Sequence, residues 1–314
     1  MRATFRNTVT KLADEDDKVV LVFGDISVYM FKDFWERYPE RFYNMGILEN
    51  TLVSVSAGLS SQGLHPFAHT ICPFITDRSV EQIKLDMCYN NFSGNIVTCG
   101  ATFDYAWDGA THHAYTDLAI LRMLPGMEVL HLGSKAEVEA LIRSQYNNNK
   151  PTYFRLSDHP HAIETNLGFG KGTILKNESA TVTIMTAGPI LGNVMDAVRD
   201  LPVNLVYFHT LKPIDKELIE QFKDTKILVV HDAYGLHEAI SAEVPGLRMY
   251  YHGLPDAFCG WYGTVHDIRK RIGLDAAGIR AAAEAVLAGN APQKPDLSNL
   301  PKSDLTKALQ AARA

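Results

Sequence analysis

Phe42-Tyr-Asn-Met-Gly46-Ile-Leu-Glu49-Asn50 runs directly into Thr51-Leu-Val-Ser-Val-Ser-Ala-Gly-Leu59. The second part is small and apolar and reads as a helix. Glu49 opens it, at the end where the helix dipole favours an anion. Taken alone, such a carboxylate is a helix-start residue with no chemical role. Upstream, the apolar run Val19–Phe23 reads as a strand that ends in Gly24-Asp25-Ile26. Open α/β sheets place ligands at the carboxyl ends of such strands.

The same alternation continues outward. Further strand-like runs lie at Asn95–Cys99, Met127–Leu132, Thr152–Arg155, Val182–Thr186, Val203–Tyr207, Ile227–Val230 and Leu247–Tyr251. Between them lie helical patterns at Ser79–Tyr89, Lys135–Tyr146, Ile190–Val198, Lys216–Phe222, Gly235–Glu243 and Ala276–Leu287. Strands alternating with helices predict an α/β fold with mostly parallel sheets. A length of 314 residues predicts two domains. The polar, Gly-rich stretch after the Thr152–Arg155 run marks their boundary. We therefore expect a first domain over 1–160, a linker over 161–178, a second domain over 179–290 and an extended, Pro-containing tail over 291–314.

Composition excludes several functions. The net charge is −6, so no overall basic field exists to hold nucleic acid or an anionic membrane. No apolar run reaches the roughly eighteen residues of a membrane span. Residues 1–17 read as an amphipathic helix entering the fold, not as a secretory leader. Cys72, Cys88, Cys99 and Cys259 are scattered, without a C-x-x-C pair, and read as reduced thiols of a cytoplasmic protein with no metal site of their own. The chain contains no G-x-G-x-x-G after its first strand, no G-x-x-x-x-G-K-[ST] and no G-x-S-x-G.

Three more segments bear on function. Pro66-Phe-Ala-His-Thr70-Ile-Cys-Pro-Phe74 leads into Thr76-Asp-Arg78-Ser-Val-Glu81-Gln-Ile83. Trp107-Asp108-Gly-Ala-Thr111-His112-His113 follows, and Leu211-Lys-Pro-Ile-Asp215 lies in the second half. Together with Gly24–Ile26 and Phe42–Glu49, and in this order, they resemble the C-terminal half of transketolase over about residues 1–288. That half comprises a pyrimidine-binding domain and a C-terminal domain. The patterns F-x-N-x-G-I-x-E, T-x-x-x-F-x-T-x-R-x-x-E-Q-I and D-G-A-T-H carry the resemblance. Deoxyxylulose-phosphate synthases and the beta subunits of 2-oxoacid dehydrogenases share this architecture, and D-G-A-T-H points to the transketolase branch.

The resemblance implies thiamine diphosphate as cofactor and two-carbon ketol transfer as the reaction. Glu49 falls at the position of the carboxyl that bonds the aminopyrimidine ring, and Phe74 at that of the aromatic stacked on it. Asp25 and Ile26 match a pair beside the thiazole, and Arg78 lies in the cofactor-binding segment. Asp108 matches a carboxylate that reads a donor hydroxyl, and His112 a histidine close to the reacting carbons. Arg2 matches an arginine that holds a substrate phosphate. Elsewhere the phosphate set departs from the family. Tyr29 stands for a serine, Gly100 for a histidine and Asp158 for an arginine, with Arg155 nearby as a substitute. Replacing a guanidinium with a carboxylate turns attraction for phosphate into repulsion, so we expect a substrate other than the common sugar phosphates.

The resemblance also implies that something lies outside this chain. No G-D-G-x(n)-N segment is present for the diphosphate and its Mg²⁺, a hard cation that needs oxygen ligands. A separate diphosphate-domain subunit in an α2β2 assembly is therefore expected to supply them. The competing readings are a beta subunit of a 2-oxoacid dehydrogenase or decarboxylase, and a non-catalytic partner that has kept the fold.

Overall fold

Val19–Phe23 (β1) is buried at all five positions, as a strand covered on both faces must be. It is flanked in parallel by Phe42–Asn44 (β2) and His65–Ile71 (β3). Beyond β3 lie Gly94–Cys99 (β4), then Glu128–His131 (β5) and Pro151–Arg155 (β6), all parallel, with β6 between β4 and β5. The second sheet holds Thr173–Lys176 (β7), Val182–Ala187 (β8), Asn204–Phe208 (β9), Lys226–His231 (β11) and Met249–Gly253 (β12) in the order β12-β11-β8-β9-β7. Thr210–Lys212 (β10) leaves that half and pairs antiparallel with β5, closing a seven-stranded first sheet in the order β10-β5-β6-β4-β3-β1-β2. This computed structural model describes residues 1–259 and 261–293. Of the tail expected over 291–314, residues 294–314 lie outside the described residues.

Helices cover both faces of the first sheet. Arg2–Glu15 buries Phe5, Val9 and Leu12 on one face, in a cluster with Leu141 and Ile142 of Lys135–Gln145. Glu49–Ser61 and Cys72–Gln82 pack on the other face through Leu52, Val53 and Ile75. No helix among the described residues is long and apolar enough to cross a membrane.

Several elements differ from the sequence reading. β3 was not expected, because Pro66 and two histidines obscure its pattern. It is nonetheless central, and the ring of His69 is satisfied inside it by a 2.7 Å bond from Nδ1–H to the carbonyl of Val97. The helix expected to start at Ser79 starts at Cys72, with Pro73 in its first turn, where a missing N–H is tolerated. Ser79 is instead a kink (φ −125°), and the chain continues as a π-helical turn over Ile83–Tyr89. The expected linker 161–178 contains β7, an edge strand of the second sheet.

The two sheets meet at a buried polar junction. Arg155 is fully buried at the end of β6, with Nε 2.9 Å from Asp117 Oδ2. It also donates to the carbonyl of Ala114 and to His131 Nε2, the latter at 2.9 Å. A guanidinium only donates, so His131 carries its proton on Nδ1 and donates to His231 Nε2 of the other sheet at 3.0 Å. Gly188 approaches so closely that a Cβ there would stand 2.2 Å from the His131 ring. This placement corrects the expectation that Arg155 binds substrate. Its charge is consumed in the core, where no phosphate reaches it.

Two outcomes follow from this junction. Asp117→Ala leaves a buried guanidinium without its counter-ion, which typically destabilises by about 3–5 kcal/mol. Urea unfolding should therefore show a clearly lowered midpoint, and an unchanged midpoint would contradict the assignment. Burial also holds His69, His161, His209 and His231 neutral, each with its pKa pushed down to about 4. An unfolded histidine titrates near 6.5, so between these values the unfolded chain binds more protons than the folded one. Stability is expected to be fully present above about pH 6.5 and to fall steadily toward about pH 4, as read from melting temperature against pH.

Candidate active site

β1 connects to β2 on one side, whereas β3 leads to β4 on the other. The strand order therefore reverses at the carboxyl ends of β1 and β3, where such sheets form a crevice. Gly24 ends β1, and its bare Cα is required because a Cβ would stand 2.9 Å from Thr70 Oγ1. Asp25 follows in a left-handed conformation (φ 58°), uncommon for a residue with a side chain. Asn44, at the end of β2, holds it there. The Asp25 N–H donates to Asn44 Oδ1 (3.0 Å), and Asn44 Nδ2 donates back to Asp25 Oδ1 (2.9 Å). Ile26 is half-buried beside them.

Glu49 occupies the first turn of its helix and is 2% exposed. Its Oε2 accepts from Arg78 Nη1 at 3.0 Å, whereas Oε1 is buried and bonds to no protein group. Arg78 lies over the ring of Phe74, 4.1 Å from its centroid. Asn50 Nδ2 donates to the carbonyl of Arg78 at 2.6 Å and fixes the two helices against each other.

Phe74 meets the ring of His112 edge-on at 4.9 Å, and His112 meets Tyr105 at 6.2 Å. The hydroxyl of Thr111 lies 2.9 Å from His112 Nδ1. Asp108 is exposed on the turn Ala106–Asp108, just before Gly109 (φ 78°). A Cβ on Gly109 would stand 2.8 Å from the Tyr262 ring, so the second half of the chain closes onto this turn. Asp77, next to Arg78, has its carboxyl raised by burial and by Asp117.

Glu49, Arg78, Phe74 and His112 thus form one continuous surface, with Asp25 on the adjoining strand end. Arg155 is excluded from it. Arg2 is engaged with Asp158 through Nε–Oδ1 (3.3 Å) and Nη2–Oδ2 (3.2 Å). Two residues carry roles the sequence reading did not assign. Asn44 is the Asn of F-x-N-x-G-I-x-E, and an amide that both donates and accepts suits a strained turn. Tyr105 fills the space above Gly100, where a Cβ would stand 2.5 Å from its ring, and nothing in the local sequence marks it.

The geometry agrees with what the comparisons with known proteins show. Residues 1–159 match the family model for the transketolase pyrimidine-binding domain. A 1-deoxy-D-xylulose-5-phosphate synthase of Geobacter sulfurreducens is 28% identical over 94% of this chain, which spans about half (49%) of that enzyme's length. A 6-deoxy-6-sulfo-D-fructose transketolase subunit of a Clostridium species is 26% identical, covering 91% of this chain and 94% of the subunit. A split-gene transketolase solved as an inactive β4 tetramer is 29% identical, with a TM-score of 0.80 over 91% of this chain and 98% of that one. With half of its length in that family model, and the motif residues gathered at the strand ends where the fold places its ligands, this chain belongs to the transketolase pyrimidine-binding domain family.

Proposed function

We propose that this chain is the pyrimidine-binding half of a split, thiamine-diphosphate-dependent transketolase that moves a two-carbon ketol unit from a ketose to an aldehyde acceptor. One observation carries the reading. Glu49 Oε1 is buried without a protein partner, while Arg78, bound to the other oxygen, lies over the ring of Phe74. Buried carboxylate oxygens are normally bonded, and this one is left to hydrogen-bond a ring nitrogen of a bound heteroaromatic group. The residues therefore fit the aminopyrimidine of the cofactor. When bound, thiamine diphosphate supplies a carbon nucleophile and an electron sink for carbon–carbon cleavage.

This chain's own residues orient and protect that chemistry. Glu49 holds or shares a proton with the pyrimidine nitrogen. Arg78 keeps the carboxylate aimed, and Phe74 supplies a face for stacking. His112 is set to move a proton to or from a substrate oxygen, and Asp108 to accept from a substrate hydroxyl. Asp25, fixed by Asn44, shapes the floor.

The implied Mg²⁺ needs oxygen ligands. Among the described residues the one cluster with metal-ligand spacing is His131, His231 and Asp232. His131 Nε2 is taken by Arg155 and Asp232 by Arg269, and imidazoles suit a hard cation poorly. A second, diphosphate-domain subunit in an α2β2 assembly is our reading of where those ligands lie. Ile47 and Leu48, 67% and 55% exposed beside buried Glu49, support a protein surface docked over this edge. Four buried, unpaired cysteines support a reducing, cytoplasmic setting.

In the assembled enzyme, Glu49→Gln is expected to reduce kcat by about 10²-fold or more while leaving the melting temperature near that of the parent, the range seen when a positioned acid–base group is lost. A regulatory subunit would tolerate that change. The isolated chain, titrated calorimetrically with thiamine diphosphate and Mg²⁺, is expected to bind weakly and turn over no ketose. Tight stoichiometric binding with turnover would refute the split assembly.

A further inference from the structure

The row Phe74, His112, Tyr105 leads away from Glu49, and Asp104, next to Tyr105, accepts from the N–H of Asp158, whose carboxylate grips Arg2. We infer that Asp158 determines specificity at this end of the cleft. By occupying both arms of the Arg2 guanidinium it keeps the end electrically neutral, so the substrate presents an uncharged, hydroxyl-bearing end there and not a phosphate ester. The inference rests on the ketol-transfer reading above and names its substrate class.

The pair differs in kind from the one in the core. Arg2 and Asp158 keep 28% and 32% of their side-chain surface open, so this fork lies at the surface and not in the core. The engagement is a two-armed fork, the geometry by which a guanidinium grips a carboxylate or a phosphate. A phosphate arriving here would have to displace Asp158 and then sit beside its negative charge.

Asp158 is held from below. Its N–H donates to Oδ2 of buried Asp104 at 2.9 Å. Asp104 also accepts from the Ala101 N–H (3.0 Å) and the Ser157 hydroxyl (2.9 Å). The loop that carries Asp158 is therefore fixed, and the carboxylate does not swing aside freely.

Several other basic groups are engaged. Arg78 is bound to Glu49 and Arg155 is in the core. The α-amino group of Met1 donates to the carbonyl of Ser157 at 3.4 Å, and burial holds His159 toward its neutral form. Gly100 brings no side chain, because Tyr105 fills its space. Beside Tyr105 lies exposed Trp107, edge-on at 5.6 Å, and exposed Asp108 follows it as an acceptor. Such a lining suits a polyol.

The test has two arms. In the first, the full chain is titrated with inorganic phosphate by ³¹P and protein NMR. Wild type is expected to show no saturable site. Asp158→Asn frees the fork and should create one, and Arg2→Ala in the same chain should remove it. Equal binding by wild type and Asp158→Asn, or a site that persists in the double variant, overturns the inference. In the second arm, the assembled enzyme is assayed with erythrose and erythrose 4-phosphate as acceptors. Wild type should favour erythrose, and Asp158→Asn or Asp158→Ser should shift the kcat/KM ratio toward the phosphate ester by about tenfold or more, on the scale of one charge-assisted contact. A wild-type preference for the phosphate ester, or an unmoved ratio, also overturns it. If neither acceptor turns over in any variant, the ketol-transfer reading fails instead, while the phosphate titration still decides the role of Asp158.

Discussion

Asp117 Oδ2 is the point on which the site's architecture converges. It lies 2.9 Å from Arg155 Nε and accepts from the Tyr153 hydroxyl (2.7 Å) and the Cys72 thiol (3.2 Å). Each contact fixes a different piece. Cys72 begins the helix that carries Phe74 and Arg78. Tyr153 and Arg155 belong to β6. Arg155 reaches on to the carbonyl of Ala114, just beyond His112, and to His131, which hands a hydrogen bond to the second sheet. A buried ion pair gives little net stability in itself, because desolvation consumes most of the attraction. Here its consequence is positional. The loop with His112 and the helix with Phe74 and Arg78 answer to the same carboxylate, and their 4.9 Å ring contact follows.

Much of the frame was legible because its signals are local. Buried parallel strands such as β1 and β8 are continuous apolar runs, and helices such as Ala276–Leu287 repeat their apolar face. β3 was hidden because burial in this fold tolerates His69 and Pro66, whose polar or missing groups are answered only by neighbouring strands. β10 and β7 were hidden because they join sheets at a distance from their sequence neighbours. No local pattern records that Thr210–Lys212 completes the sheet of the other half.

The site shows the same division. Glu49, Phe74 and His112 were legible as positions in a pattern, and their mutual placement is what the fold adds. The three arginines show what a pattern omits. Arg78 serves a buried carboxylate whose other oxygen is left open. Arg155, equally basic in sequence, is spent in the core. Arg2 is near the surface but neutralised from the far end of the first domain by Asp158. Each partner lies far away along the chain, so charge type alone does not tell a binding group from a structural one.

The open oxygen of Glu49 also bears on why such a protein would be divided. Leaving a buried polar atom without a partner costs about 1–3 kcal/mol, and more for a charged group. Evolution removes such a cost unless another state relieves it. Here the atom sits one residue from Leu48 and two from Ile47, both exposed apolar side chains at the mouth of the crevice. The chain thus keeps a dry, unpaired acceptor and an uncovered apolar rim side by side. Both are unfavourable in this chain alone, and the assembly proposed above would relieve both, with a heteroaromatic ring against Glu49 and a second protein surface over it. In the proposed assembly, the same small region that is left unsatisfied in the free chain would meet cofactor and partner together.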